Sequence, residues 1–226
     1  MNERDDDADQ PALGPVVPLF PLPNVVLFPR AILPLHIFEE RYKAMTADAI
    51  GGRREIAMAL LQPGWEKSYY GRPSIEPVVC VGRILSHEKL PDGKYNFLLQ
   101  GTMRARIVRE IAGDLAYRSA ELEPLIETKA LEIDLTESRA RIVELLEGRL
   151  AGIGGIAKQF GHMLSSALPT AHIADLVAFN LLEDVALKQS LLAETDVKMR
   201  VKTIVASLEE LPAPPIPAHA GDPNMN

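Results

Sequence analysis

Val16-Val-Pro-Leu-Phe-Pro-Leu-Pro-Asn-Val-Val-Leu-Phe-Pro29, followed by Leu33-Pro-Leu-His-Ile-Phe-Glu-Glu-Arg-Tyr42, is the stretch on which the reading of this chain turns. Its prolines, at 18, 21, 23, 29 and 34, are interleaved with large apolar side chains. Each proline lacks an amide donor and fixes φ at about −65°, so the segment is extended, suited to edge-strand positions, and apolar enough to be buried. A second proline cluster, at 212, 214, 215, 217 and 223, follows the end of a helical pattern and runs into Gly, Asp and Asn. It reads as an extended, disordered tail.

From the opening stretch to about residue 125 the signals are those of short strands. Ile56-Ala-Met-Ala-Leu-Leu, Val78-Val-Cys-Val, Tyr95-Asn-Phe-Leu-Leu and Thr102-Met-Arg-Ala-Arg-Ile-Val are apolar runs of strand length bounded by Pro, Gly or Asp. Asp92-Gly93 between two of them predicts a hairpin with a two-residue turn. Met103, Ala105 and Ile107 alternate with Arg104 and Arg106, which predicts one buried and one wet face. Beyond 125 the period becomes helical: Ile142, Leu145, Leu146, Leu150; then Phe160, Met163, Leu164; then Ile173, Leu176, Val177, Leu181; finally Val197, Val201, Ile204, Val205, Leu208. Thr170 after Pro169 is the expected cap of the third helix, and Thr195 or Asp196 of the last. The expected organisation is an acidic disordered tail over 1–14, a strand-rich body over 15–125, a helical subdomain over 126–211 and a disordered proline-rich tail over 212–226. The fold class is α+β.

Composition bounds the function. The chain has 226 residues, 47% hydrophobic and 24% charged, which are globular proportions. Its lone cysteine, Cys80, excludes an internal disulfide and a cysteine-based zinc cluster. The formal charge of −7 sits mainly in the tails, where Glu3, Asp5, Asp6, Asp7 and Asp9 face only Arg4. The body is nearly neutral and lacks the basic footprint of nonspecific nucleic-acid binding. No run approaches the ~20 apolar residues of a membrane span, and the acidic N-terminus is unlike a secretory signal. The chain is read as soluble and cytoplasmic.

No constellation carries catalysis. Gly152-Ile-Gly-Gly-Ile-Ala157 has the spacing of a dinucleotide fingerprint, but a helical run precedes it where a strand is required, so it reads as an interhelical linker. There is no phosphate-binding G-x-x-x-x-G-K-[ST] loop. His36 stands three residues from Glu39 without a partner cluster and reads as a hydrogen-bonded structural histidine. His87, His162, His172 and His219 are scattered, Ser165-Ser166 lack a nucleophile elbow, and Cys80 lies in a strand-like apolar run. Arg104, Arg106 and Arg109 are candidates for a phosphate-facing sheet, blunted by Glu110 and Asp114. What remains is Gln62-Pro-Gly-Trp-Glu-Lys-Ser-Tyr-Tyr-Gly71, which gathers Trp65, Tyr69 and Tyr70 in one loop. Aromatic side chains of this kind anchor binding surfaces or fold back as a lid on the core.

The opening stretch closely resembles the signature of the Lon protease N-terminal (substrate-binding) domain family. The resemblance continues through Leu60-Leu-Gln-Pro-Gly64, Val81-Gly-Arg-Ile84, Leu90-Pro-Asp-Gly-Lys-Tyr-Asn-Phe-Leu-Leu-Gln-Gly101 and Leu187-Lys-Gln-Ser-Leu-Leu-Ala-Glu-Thr-Asp196. It implies a PUA-like pseudo-β-barrel followed by a C-terminal helical bundle. It also implies a stand-alone, non-enzymatic member without the ATPase and peptidase regions, binding unfolded or flexible protein segments as an adaptor in protein quality control. It supplies no catalytic residue, cofactor or metal. Its signature residues Phe28, Pro34, His36, Arg41 and Tyr42 read as architecture, with Arg41 expected to pair with a carboxylate at a helix start. The candidate peptide-binding residues are Trp65, Tyr69 and Tyr70. Arg30 departs from the family, which often has glycine after Phe-Pro. The alternatives are RNA binding through a PUA-like barrel and, less well supported by the scattered titratable groups, a hydrolase.

Overall fold

The computed structural model describes residues 15–68, 71–150 and 168–212. The acidic segment 1–14, Tyr69, Tyr70, the glycine-rich run with His162 and the two serines, and the tail from 213 onward lie outside the described residues. Two compact units are present: one takes the chain up to Ile126 together with Glu183–Thr195, the other takes Glu127–Leu182 and the chain from Asp196.

The first unit contains strands β1 (Val17–Leu22), β2 (Ile32–Ile37), β3 (Glu55–Leu60), β4 (Val78–Lys89), β5 (Tyr95–Glu110) and β6 (Arg118–Pro124). Helix α1 (Glu40–Gly51) follows β2. The sheet runs β2-β5-β4-β3-β1-β6, and β5 also pairs with β6, so five strands close a ring and β2 lies outside it. All pairings are antiparallel except β1 with β3. Ala57, Ala59, Ala105 and Ala120 are all fully buried in the cluster that β1 joins through Val17 and Leu19. Small side chains at inward positions suit a narrow ring, whose interior has little room per residue.

β1 carries the prolines of the deciding stretch, and it pairs on both sides. Val17–Leu19 pair with β6, whereas Leu19–Leu22 pair with β3. Pro18 and Pro21 each therefore have one paired flank and one without a partner, which a residue lacking N–H tolerates. In β2, the bond from Gly101 N–H to Ala31 O marks residue 31 as a bonded position opposite β5. Alternation then turns the backbone polar groups of Ile32, Pro34 and His36 away from β5. Pro34 thus removes a donor from the free edge and none from the ladder.

The two runs read as separate strands at 95–99 and 102–108 form one 16-residue strand, β5. Gly101 between them does not break it. A Cβ at Gly101 would overlap the Phe28 carbonyl, so glycine is what lets the Phe28 turn approach the strand. That turn has Pro29 next to Arg30 at φ +68°, closed by Ala31 N–H to Phe28 O at 3.1 Å, the pattern of a type II turn. Left-handed backbone costs a non-glycine residue about 1–2 kcal/mol. Arg30→Gly is therefore expected to raise stability by about 0.5–1 kcal/mol after the entropy lost to glycine is subtracted. Thermal unfolding followed by Trp65 fluorescence checks this; a lowered midpoint contradicts it.

The hairpin between β4 and β5 forms, but its turn has three residues. Leu90 N–H bonds Lys94 O at 2.8 Å around Pro91-Asp92-Gly93, and only Gly93 has positive φ, +82°. Proline at 91 and the Asp92 side chain accepting Lys94 N–H fit this longer loop. Arg104 differs from its expected wet position. It is buried, its Nε donates to Leu192 O at 3.1 Å, and its guanidinium stands over the Phe28 ring. Leu192 belongs to helix α4 (Val185–Ala193), which packs on β4. An arginine serving a helix C-terminal carbonyl gains both a hydrogen bond and the dipole.

The second unit holds α2 (Thr136–Leu150), α3 (Thr170–Leu181) and α5 (Val197–Glu210). Ile142, Leu146, Ile173, Val177, Val201, Ile204 and Leu208 are fully buried, in step with the helical period. Asp196 caps α5, accepting from Lys198 and Met199 N–H. Thr170 does not cap α3. It is the first helical residue, and the Glu132 carboxylate accepts both its N–H at 3.0 Å and its hydroxyl at 2.7 Å. Arg200 is fully buried, with Nε on Asp175 at 3.1 Å and Nη2 on Glu127 at 2.7 Å.

Candidate binding surfaces of the strand unit

Among the described residues, most of those singled out in the sequence line one of three cavities in the strand-rich unit. Trp65 opens a short 3-10 helix, Trp65–Ser68, entered through Gly64 at φ +88°. Its half-buried indole lines a cavity of about 480 Å³. One wall is Pro63, Pro77 and Leu60 with Val78; the other is the α4 face of Val185, Ala186, Gln189 and Ala193. The wall helix is fixed by buried contacts: Gln189 Nε2 donates to Val78 O at 2.8 Å, and Arg104 holds Leu192 O. Asp184 caps its N-terminus by accepting Leu187 N–H. The cavity is mostly apolar, within the size range of ligand sites.

Pro34 and His36 line a second cavity, of about 430 Å³, on the outer face of β2, β5 and β4. Its floor includes Leu98, and Ile32 and Phe38 stand exposed on the same strand and just after it. His36 Nδ1 lies 2.6 Å from Asn96 Oδ1 across the β2–β5 pair. Arg41 and Tyr42 line the third, of about 290 Å³, with Arg72, Tyr117 and Arg118. Arg41 pairs with Glu39 at 2.9 Å and lies over the Tyr42 ring, which packs on Phe20. Arg118 is held by Glu110 and by Pro73 O. The arginines Arg41 and Arg118 of the third cavity thus already have partners. Phe28 lines none of these three cavities; it is fully buried.

Tyr117 donates its hydroxyl to Asp48 Oδ2 at 2.8 Å. Burial, then this bond and the carboxylate's charge, push its phenol up to about 12 from 10.0. Because the folded phenol ionises above the unfolded one, its stabilisation is complete below pH 10 and is lost as pH rises toward 12. Tyr117→Phe is expected to cost about 1.5 kcal/mol near neutrality and to flatten the stability profile between these two pH values. Urea titrations across that range check it.

The arginines considered for a phosphate-facing sheet are not gathered: Arg104 is buried, Arg109 pairs with Glu121 at 2.8 Å, and Arg106 is exposed. Among the described residues no group of three His, Cys, Asp or Glu is placed to hold a metal ion, and no helix is long and apolar enough to cross a membrane. Sequence reasoning found Trp65 but not its opposite wall. Nothing in the short run 185–193 says that it packs on strands, although Gln189 amid apolar residues hints at a buried polar contact.

Comparison with known proteins agrees with this architecture. The family model of the ATP-dependent protease La (LON) substrate-binding domain matches residues 16–210. The chain is 26% identical over 196 residues to the Lon protease of Desulfosudis oleivorans, covering 87% of this chain and 24% of that protein. It is 30% identical over 173 residues to the Lon protease of Trichlorobacter lovleyi, covering 74% and 20%. The chain therefore spans a quarter or less of the length of these relatives. Among solved structures, the N-terminal domain of Mycobacterium avium complex Lon protease superposes with TM-score 0.66 at 16% identity, covering 86% of this chain and 98% of that one. The Lon N-terminal domain protein from Xanthomonas campestris gives 0.61 at 24%, covering 84% and 97%. These likenesses share the fold, a mixed sheet with a ring of strands and several helices, and with the family match over nearly the whole chain they establish that the protein belongs to the Lon substrate-binding domain family.

Proposed function

We propose that this chain is a non-enzymatic recognition module that engages exposed apolar segments of unfolded or flexible polypeptides, acting as an adaptor in protein quality control in the cytoplasm. The observation that carries this reading is the mostly apolar cavity between Trp65 and the face of α4. Large aromatic side chains beside aliphatic pockets anchor polypeptides because they bury much area while ordering few torsions. We include Tyr69 and Tyr70, the next aromatic residues in the sequence, among the candidate peptide-binding residues. In this reading the strand ring is the PUA-like pseudo-barrel over 15–125, and the helices within 126–211, apart from α4, form a bundle.

Trp65 is the chain's one tryptophan, so its emission reports on the cavity alone. Addition of a permanently unfolded polypeptide is expected to shift that emission saturably. Trp65→Ala is expected to weaken binding, measured by calorimetry, by about 2 kcal/mol, roughly 30-fold. An unchanged spectrum at saturating polypeptide, together with equal affinity of the variant, overturns the reading.

A further inference from the structure

We propose that the Trp65 cavity selects a basic side chain, lysine or arginine, flanked by apolar residues in the bound polypeptide; this rests on the recognition role proposed above. Glu76 is the one charged residue among those that line the cavity. Its backbone is fixed by its N–H bond to Leu60 O at 2.8 Å, which sets the residue between the tip of β3 and the start of β4. The residue is half-buried, and no ion pair or hydrogen bond engages its carboxylate among the described residues. The other polar side chains of the wall are occupied: Gln189 Nε2 by Val78 O, and the Ser190 hydroxyl by Leu187 O.

A carboxylate beside an apolar mouth combines negative charge with apolar walls, and a cation arriving with an apolar stem matches both properties of the site. The methylenes of lysine or arginine lie along Trp65 and the prolines, while the charged end reaches Glu76. An indole close to an incoming cation adds attraction through its ring face. The wall segment reinforces the sign, since residues 183–195 carry Glu183, Asp184 and Glu194 against Lys188 alone. Burial lowers the Lys188 pKa, and Glu183, just ahead of the helix, opposes the shift. The cavity, at about 480 Å³, holds more than one side chain, leaving room for an aliphatic neighbour.

The test uses the full chain and three otherwise identical apolar peptides whose central residue is lysine, norleucine or glutamate, with binding read from Trp65 emission. The expected order is lysine tightest by about tenfold over norleucine, the equivalent of one charge-assisted contact, with glutamate weakest. In Glu76→Gln the lysine preference is expected to collapse to near unity while norleucine binding is retained. Equal affinity for lysine and norleucine peptides in the unaltered chain overturns the inference without any variant, and so does a lysine preference that persists in Glu76→Gln. If none of the three peptides shifts the emission, the recognition role itself fails. Norleucine binding without charge preference sinks only the selectivity.

Discussion

Arg200→Ala is expected to lower the stability of the helical unit by about 3–5 kcal/mol, read as loss of ellipticity at 222 nm in urea. Arg200 and Asp175 are fully buried, and Glu127 reaches the same guanidinium. Removing the arginine leaves the fully buried Asp175 carboxylate without its cation and takes one from the partly exposed Glu127, and the penalty at Asp175, more than the lost attraction, sets the magnitude. The double variant Arg200→Met with Asp175→Asn is expected to recover part of the loss, because the partner no longer bears a charge. Arg200→Ala within 1 kcal/mol of the unaltered chain would show that the pair is solvated in solution.

Gly101→Ala is the second large effect, expected to cost about 3 kcal/mol or more in the strand unit, followed by Trp65 emission in urea. The new Cβ would overlap the Phe28 carbonyl oxygen and lie 2.8 Å from its carbon, and both atoms are backbone. The turn cannot retreat without breaking Arg30 N–H to Gly101 O and Gly101 N–H to Ala31 O, which tie it to β5. Gly82, paired with Gly101 across β4 and β5, is the internal control. The three atoms nearest a Cβ there all belong to the Leu99 side chain, at 2.6 and 3.0 Å. Leu99 can change rotamer, so Gly82→Ala is expected to cost about 1 kcal/mol. Equal effects at the two glycines contradict this account.

These residues mark where the sequence is legible and where it is not. The strand-to-helix change near 125, the β4–β5 hairpin and the Asp196 cap follow from period and local side-chain chemistry, which act over a few residues. Arg200 lies on the same helical face as Val197, Val201 and Ile204, yet its type argues for exposure; Asp175, 25 positions earlier, and the still more distant Glu127 make burial tolerable. Arg104 is the same case, since its partner Leu192 is 88 positions away. Gly101 reads locally as a strand breaker because Phe28, which needs its missing side chain, is distant in sequence. The candidate site divides likewise. Trp65 stands out by composition, whereas its facing helix and the isolated charge of Glu76 emerge only from long-range packing.

The free edge of β2 has a consequence for how copies of this molecule meet. A closed ring has no ends, but a sixth strand laid outside it restores one, beside exposed Ile32, Leu98 and Phe38. Two such edges aligned antiparallel about Pro34 would bring one proline opposite the other, with neither able to donate at the centre of the seam. The collision complex is therefore weakest where a growing sheet must be strongest, and end-to-end polymerisation is discouraged. The proline that holds β2 extended thus also opposes the pairing of this edge with a second copy of itself.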